Sequence, residues 1–156
     1  MHNRENLTYR KNVSGFILDE QNNILLCKRV SRYLDWQLPQ GGIDEGESAE
    51  EAIIRELKEE VNLVNPEIIL KSAFSLNYEW PEELLDRGYR GQNQISFVLK
   101  SAKNWEPSFD TGPEIEFSAS KWVGKDEFIE LTKDTFRFET YFKFLHSFST
   151  QIDFNK

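Results

Sequence analysis

The chain has one cysteine, Cys27, in 156 residues, so an internal disulfide is excluded. Cys27 lies in the apolar run ILLCKRV and is expected to be an inert core residue. Histidine is almost as scarce, with two in the chain and none beside the acidic segment described below. A zinc site of the usual nitrogen and sulfur ligands is therefore disfavoured there. No apolar run approaches membrane-spanning length, and the start, MHNRENLTYR, is polar with no hydrophobic region of the signal-peptide type. The expectation is a cytoplasmic protein with no membrane partner. Basic residues are outnumbered 19 to 27, giving a net charge of −8, which argues against a surface that coats nucleic acid. Recognition of one phosphorylated end stays open. There is no internal repeat, linker or low-complexity block, and the length suits a single domain over residues 1–156.

Apolar residues make up 38% of the chain and phenylalanine occurs twelve times, enough for a packed core. The most informative segment is GGIDEGESAEEAIIRELKEEVNL, residues 41–63. Ser48 followed by Glu51 forms a capping box that predicts a helix from Ala49. At 3.6 residues per turn Glu56, Glu59 and Glu60 share one face, and Ile53, Ile54, Leu57 and Val61 form an adjacent arc to bury against a sheet. Arg55 stands one turn before Glu59, placed to orient it. Like charges crowded on one face repel unless a cation lies between them, and ligands that are all oxygen favour magnesium or manganese. A solvated acidic helix face is the bland alternative.

Elsewhere residues 12–18 and 24–30 read as strands separated by a turn at 19–23, and residues 36–38 as a short strand ending at Pro39. Residues 67–74, 94–99 and 117–123 are further strands. Residues 77–91 read as a polar and aromatic loop, long enough to suspect function. Phe136, Phe138, Tyr141, Phe142, Leu145 and Phe148 mark a C-terminal amphipathic helix. The architecture expected is α/β, a mixed sheet in an α/β/α sandwich.

The spacing from Gly41 through Glu47, Arg55-Glu56-Leu57 and Glu59-Glu60 to Leu63 resembles the box motif of the Nudix hydrolase family. Such a frame arises by chance on the order of once in 10^8 starting points. Asn62 stands where the family usually has glycine. That position ends the helix and needs a left-handed backbone, for which asparagine is the next best residue. The resemblance implies the Nudix fold and metal-assisted hydrolysis of a phosphoanhydride, with Mg2+ or Mn2+ as cofactor. Glu56 and Glu60 are then the principal metal ligands, Glu59 completes the cluster or orients water, and the backbone carbonyl of Gln40 is a further ligand. Glu47 would pair with Arg55 and, with Gly41, support the loop. Relatives often draw the general base from a late loop, which here points to Glu116, with Glu114 behind it.

Four further segments are similar to the bacterial RNA pyrophosphohydrolase and (di)nucleoside polyphosphate hydrolase group: residues 9–13 (YRKNV), 36–42 (WQLPQGG), 89–94 (YRGQNQ) and 114–123 (EIEFSASKWV). They imply 5′-triphosphorylated RNA as substrate, trimmed to a 5′-monophosphate. Diadenosine tetraphosphate, cut to ATP and AMP, is the second implied substrate. Arg10 with Arg29 or Arg32 would bind phosphate through guanidinium forks. Gln92 and Gln94 would contact the polyphosphate, and Phe136 with Arg137 would meet a nucleobase. The alternatives are a hydrolase acting mainly on free dinucleotides and, more distantly, a non-catalytic nucleotide-binding module. No protein activator can be assigned.

Overall fold

The computed structural model describes residues 3–30 and 35–156. Its elements are β1 (Thr8–Leu18), β2 (Ile24–Arg29), β3 (Trp36–Gln37), β4 (Gln40–Gly42), α1 (Ala49–Val61), β5 (Glu67–Lys71), β6 (Leu76–Glu79), β7 (Tyr89–Lys100), β8 (Phe117–Val123), α2 (Lys125–Thr132) and α3 (Phe138–Phe148). Single 3-10 segments cover Arg4–Asn6 and Glu82–Arg87. The strands form one mixed sheet in the order β3-β2-β1-β7-β5, with β4 on β1, β6 on β7 and β8 on β2. β1 and β7 run parallel from Thr8↔Tyr89 to Leu18↔Lys100, and the other pairs are antiparallel.

Alternation along β1 assigns its side chains to two layers. Val13 and Ile17 join Ala52, Ile53, Leu57 and Val61 of α1 in one core. Phe16 and Leu18 join Phe128 of α2 and Tyr141, Phe144 and Phe148 of α3 in the other. Helices thus cover both faces, and residues 12–18 are buried throughout, as a central strand requires. The Phe16 and Leu18 face changes character toward the start of the strand. Its register pairs with β7 read Phe16↔Val98, Ser14↔Ser96, Asn12↔Gln94 and Arg10↔Gln92. Apolar pairs give way to hydroxyls, then amides, then a charge, and this gradient leads into the cleft described below.

Several expectations need correction. The turn at residues 19–23 is present, but β1 and β2 pair only at Leu18↔Ile24, because β2 turns to β3 and β8 while β1 takes β4 and β7. The supposed loop at 77–91 contains β6, a 3-10 segment and the start of β7. Tyr78, Trp80, Leu84 and Leu85 order it by clustering against Leu7 and Phe136. The glycine turn is itself a strand, β4, and α2 was unanticipated. On α3 the buried stripe is Tyr141, Phe144, Leu145 and Phe148, while Phe142 faces outward and Phe136 precedes the helix. No helix among the described residues is long and apolar enough to cross a membrane.

Candidate active site

The acidic helix begins where its capping box requires. The Glu51 N–H donates to Ser48 Oγ and the Ser48 N–H to Glu51 Oε1, each at 3.1 Å. It ends at Asn62, whose φ of 57° and ψ of 41° are left-handed. In between, Arg55 ties the glycine strand to the helix. Its Nε and Nη2 donate to the two oxygens of Glu47 at 2.8 Å each, Nη2 donates to the Gly42 carbonyl at 2.9 Å, and Nη1 donates to Glu56 at 2.8 Å. Glu59 lies 3.5 Å from the same guanidinium. The hydrogen bonds from Arg55 hold the Glu47 carboxyl down at about 2. At Gly41 a side chain would displace the Glu56 carboxylate from its present place. At Gly42 it would displace the Arg10 guanidinium in the same way.

Glu60 is buried against this frame. One of its oxygens accepts the Gln40 N–H at 3.4 Å, and the other, Oε1, has no partner among the described residues. Burial pushes the Glu60 carboxyl well up, and the nearby charges of Glu116 and Glu56 push it further. Glu56 is also raised by burial, against the pull of Arg55. Glu116 is raised by burial too, with Arg29 and Arg10 opposing. Three acids therefore share one partly desolvated region that Arg55, Arg29 and Arg10 offset only in part, a donor set that fits a hard divalent cation. As they stand, no three His, Cys, Asp or Glu side chains among the described residues are grouped to hold an ion. Arg55 occupies Glu56, and Glu59 is partly exposed.

These acids line a cleft of about 550 Å³. Arg10, Asn12, Arg29, Gln40, Gln92, Trp80, Leu84, Arg87 and Arg137 also line it. Of the anticipated substrate residues, Arg10, Arg29, Gln92 and Arg137 are on the wall. Gln94 and Phe136 are not. Gln94 is fully buried, its amide engaged by Ser14, Asn12 and Gln40. Phe136 packs on Tyr78 at 6.2 Å, and the Arg137 guanidinium covers its ring at 4.1 Å. Arg32 lies outside the described residues. Glu59 and Glu114 border a smaller adjoining pocket with Glu56, Glu60 and Glu116. Sequence reasoning missed Asn12, Trp80 and Leu84 as wall residues. The polar side chains at every second position of residues 10–14 and 92–96 were the available signal for the first of these.

The NUDIX domain model matches residues 8–144. The chain belongs to the NUDIX family. An RNA pyrophosphohydrolase of Wolbachia pipientis (strain wPip) is 33% identical over 153 residues, covering 95% of this chain and 94% of the relative. One of Pelagibacter ubique is 33% identical over 144 residues, covering 89% and 90%. In fold the chain is similar to the E. coli dihydroneopterin triphosphate pyrophosphohydrolase, with a TM-score of 0.72 at 22% identity over 90% of this chain and 99% of that one. This Nudix protein is thus a hydrolase of the pyrophosphohydrolase type, in a family that generally uses divalent metals such as Mg2+ or Mn2+.

Proposed function

We propose that this Nudix hydrolase removes pyrophosphate from the 5′-triphosphate end of RNA, and that it also cuts diadenosine polyphosphates asymmetrically. One observation carries the reading: buried Glu60, with half-buried Glu56 and Glu116, shares a cleft with the cations Arg10, Arg29 and Arg137. Water adds across a phosphoanhydride, pyrophosphate leaves, and the RNA keeps a 5′-monophosphate. Glu56, Glu59 and Glu60, with the Gln40 carbonyl, would hold Mg2+ or Mn2+, which when bound neutralises phosphate oxygens and acidifies water. Glu116 accepts the proton of the attacking water, a role suited to a carboxylate whose proton affinity burial has raised. Arg10 and Arg29 hold phosphate oxygens in their guanidinium forks, and Gln92 and Arg137 position the chain beyond them. Arg55 keeps Glu47 and Glu56 in register with the glycine strand and touches no substrate. The names of the 33%-identical relatives favour RNA over a free dinucleotide.

Competition kinetics with triphosphorylated RNA and diadenosine tetraphosphate, on one preparation in one magnesium buffer, test the choice. RNA should show the higher kcat/KM. A preference of roughly a hundredfold for the dinucleotide would transfer the assignment to free nucleotides.

A further inference from the structure

A buried chain of amides runs from α3 to the cleft, and its direction can be read. The Leu38 N–H donates to the Tyr141 hydroxyl oxygen at 3.2 Å, which leaves the hydroxyl proton free for another acceptor. It points to Gln40 Oε1, at 3.1 Å. Gln40 Oε1 also accepts from Gln94 Nε2 at 3.2 Å, and Gln94 Nε2 donates to Asn12 Oδ1 at 2.6 Å. The other end of the Gln94 amide accepts the Ser14 hydroxyl at 3.0 Å, in agreement. The donors and acceptors agree along the series, with Gln40 Oε1 accepting from both Tyr141 and Gln94 and Asn12 Oδ1 accepting from Gln94. The last atom of the series is Asn12 Nδ2, a donor turned away from Gln94.

That donor has no partner among the described residues, although Asn12 is only 1% exposed. Leaving a buried N–H unpaired is costly, and burial of this kind is usually offset by a ligand or water. Asn12 lines the cleft two residues along β1 from Arg10, opposite Gly42 in register, where the glycine leaves room for the Arg10 guanidinium. We infer that Asn12 Nδ2 is a substrate-binding group, donating to a non-bridging oxygen of the polyphosphate beside Arg10. Tyr141, Gln40 and Gln94 are positioning residues that hold its amide in the donating orientation. This rests on the proposed polyphosphate chemistry of the cleft and adds an uncharged contact to it.

The test measures thermal stabilisation of the protein by inorganic tripolyphosphate in magnesium buffer, alongside kcat and KM on triphosphorylated RNA. In Asn12→Ala the ligand-free melting temperature should stay near wild type, because the unpaired Asn12 donor is removed while one Gln94 N–H loses its Asn12 acceptor and the other keeps Gln40. The tripolyphosphate-induced shift should shrink, and kcat/KM should fall roughly tenfold to a hundredfold. Asn12→Asp keeps the shape and the Oδ1 acceptor for Gln94 while losing the donor, and should bind tripolyphosphate more weakly still. A full wild-type shift in Asn12→Asp would overturn the inference. So would an Asn12→Ala protein that melts early yet retains the full shift, since that describes a purely structural residue. Should wild type bind tripolyphosphate but leave triphosphorylated RNA intact, the RNA assignment fails while the Asn12 contact is still decided by the shifts.

Discussion

Burying Glu60 beside Glu56 and Glu116 costs the ligand-free protein stability, because desolvation and two like charges both oppose ionisation. The proposed metal-holding role falls on the same side chain, so the two roles separate in a conservative variant. Glu60→Gln keeps the volume and an acceptor for the Gln40 N–H while removing the charge. In chelator, its melting temperature should rise, by about 2–4 °C for each kcal/mol relieved in a chain of this size. Turnover in magnesium should fall by roughly a hundredfold or more. Retained activity would remove Glu60 from the metal site. Glu116→Gln should also lose turnover and change its pH profile, but metal affinity measured by titration should stay close to wild type. A matching loss of affinity would make Glu116 a ligand instead of the base.

Among the elements, α1 was legible in full because its signals are local. The capping box, the apolar arc and the three carboxylates all fall within fifteen consecutive residues. β4 was hidden in a pair of glycines, whose absent side chains give no period to read. α2 has only eight residues and a glycine N-cap without a side-chain hydrogen bond, so nothing announces its start. Asn62 shows how far local reasoning carries. It adopts the left-handed conformation inferred from its place in the box, its N–H closes the helix onto Leu57 and Lys58, and its carbonyl accepts Trp105 Nε1 at 3.1 Å. Asn62→Ala should lower the free energy of unfolding by about 1 kcal/mol, because alanine lacks the short polar side chain that lets asparagine tolerate positive φ. Asn62→Gly should remain within about 0.5 kcal/mol of wild type, since both residues accept that backbone. Urea midpoints at unchanged slope would measure both, and equal midpoints for the two variants would show that the left-handed turn carries no strain.

At the scale of the molecule, the cleft depends on pairings that no local pattern reveals. Arg10↔Gln92 and Asn12↔Gln94 join residues about eighty positions apart through a parallel register, which is why Asn12 looked like ordinary strand and Gln94 like a substrate contact. The box named the reaction, but only the assembled sheet sorts wall residues from supporting ones. Two opposing electrostatic sets are distributed over this assembly, and together they shape stability against pH. Glu47, held by Arg55, and Glu79, where desolvation raises the carboxyl but hydrogen bonds from Arg90, Tyr9 and Arg4 outweigh it, are both lowered from 4.5 to about 2. Their folded forms bind fewer protons than the unfolded chain, so their contribution is complete above about 4.5 and is lost as pH falls through about 2. Glu60, Glu56 and Glu116 are raised, so the folded form binds more protons, and stability is lost as pH rises through their folded values. Without metal, acidification from neutral pH should therefore first stabilise the protein and then, below about 4.5, destabilise it. Thermal melts in chelator from neutral to strongly acidic pH should show a maximum on the acidic side of neutrality. Glu60→Gln should flatten the neutral limb and leave the acid limb in place, whereas Glu47→Gln should do the reverse. A metal-free wild-type curve that falls steadily from pH 7 downward would mean that the buried acids do not strain the fold.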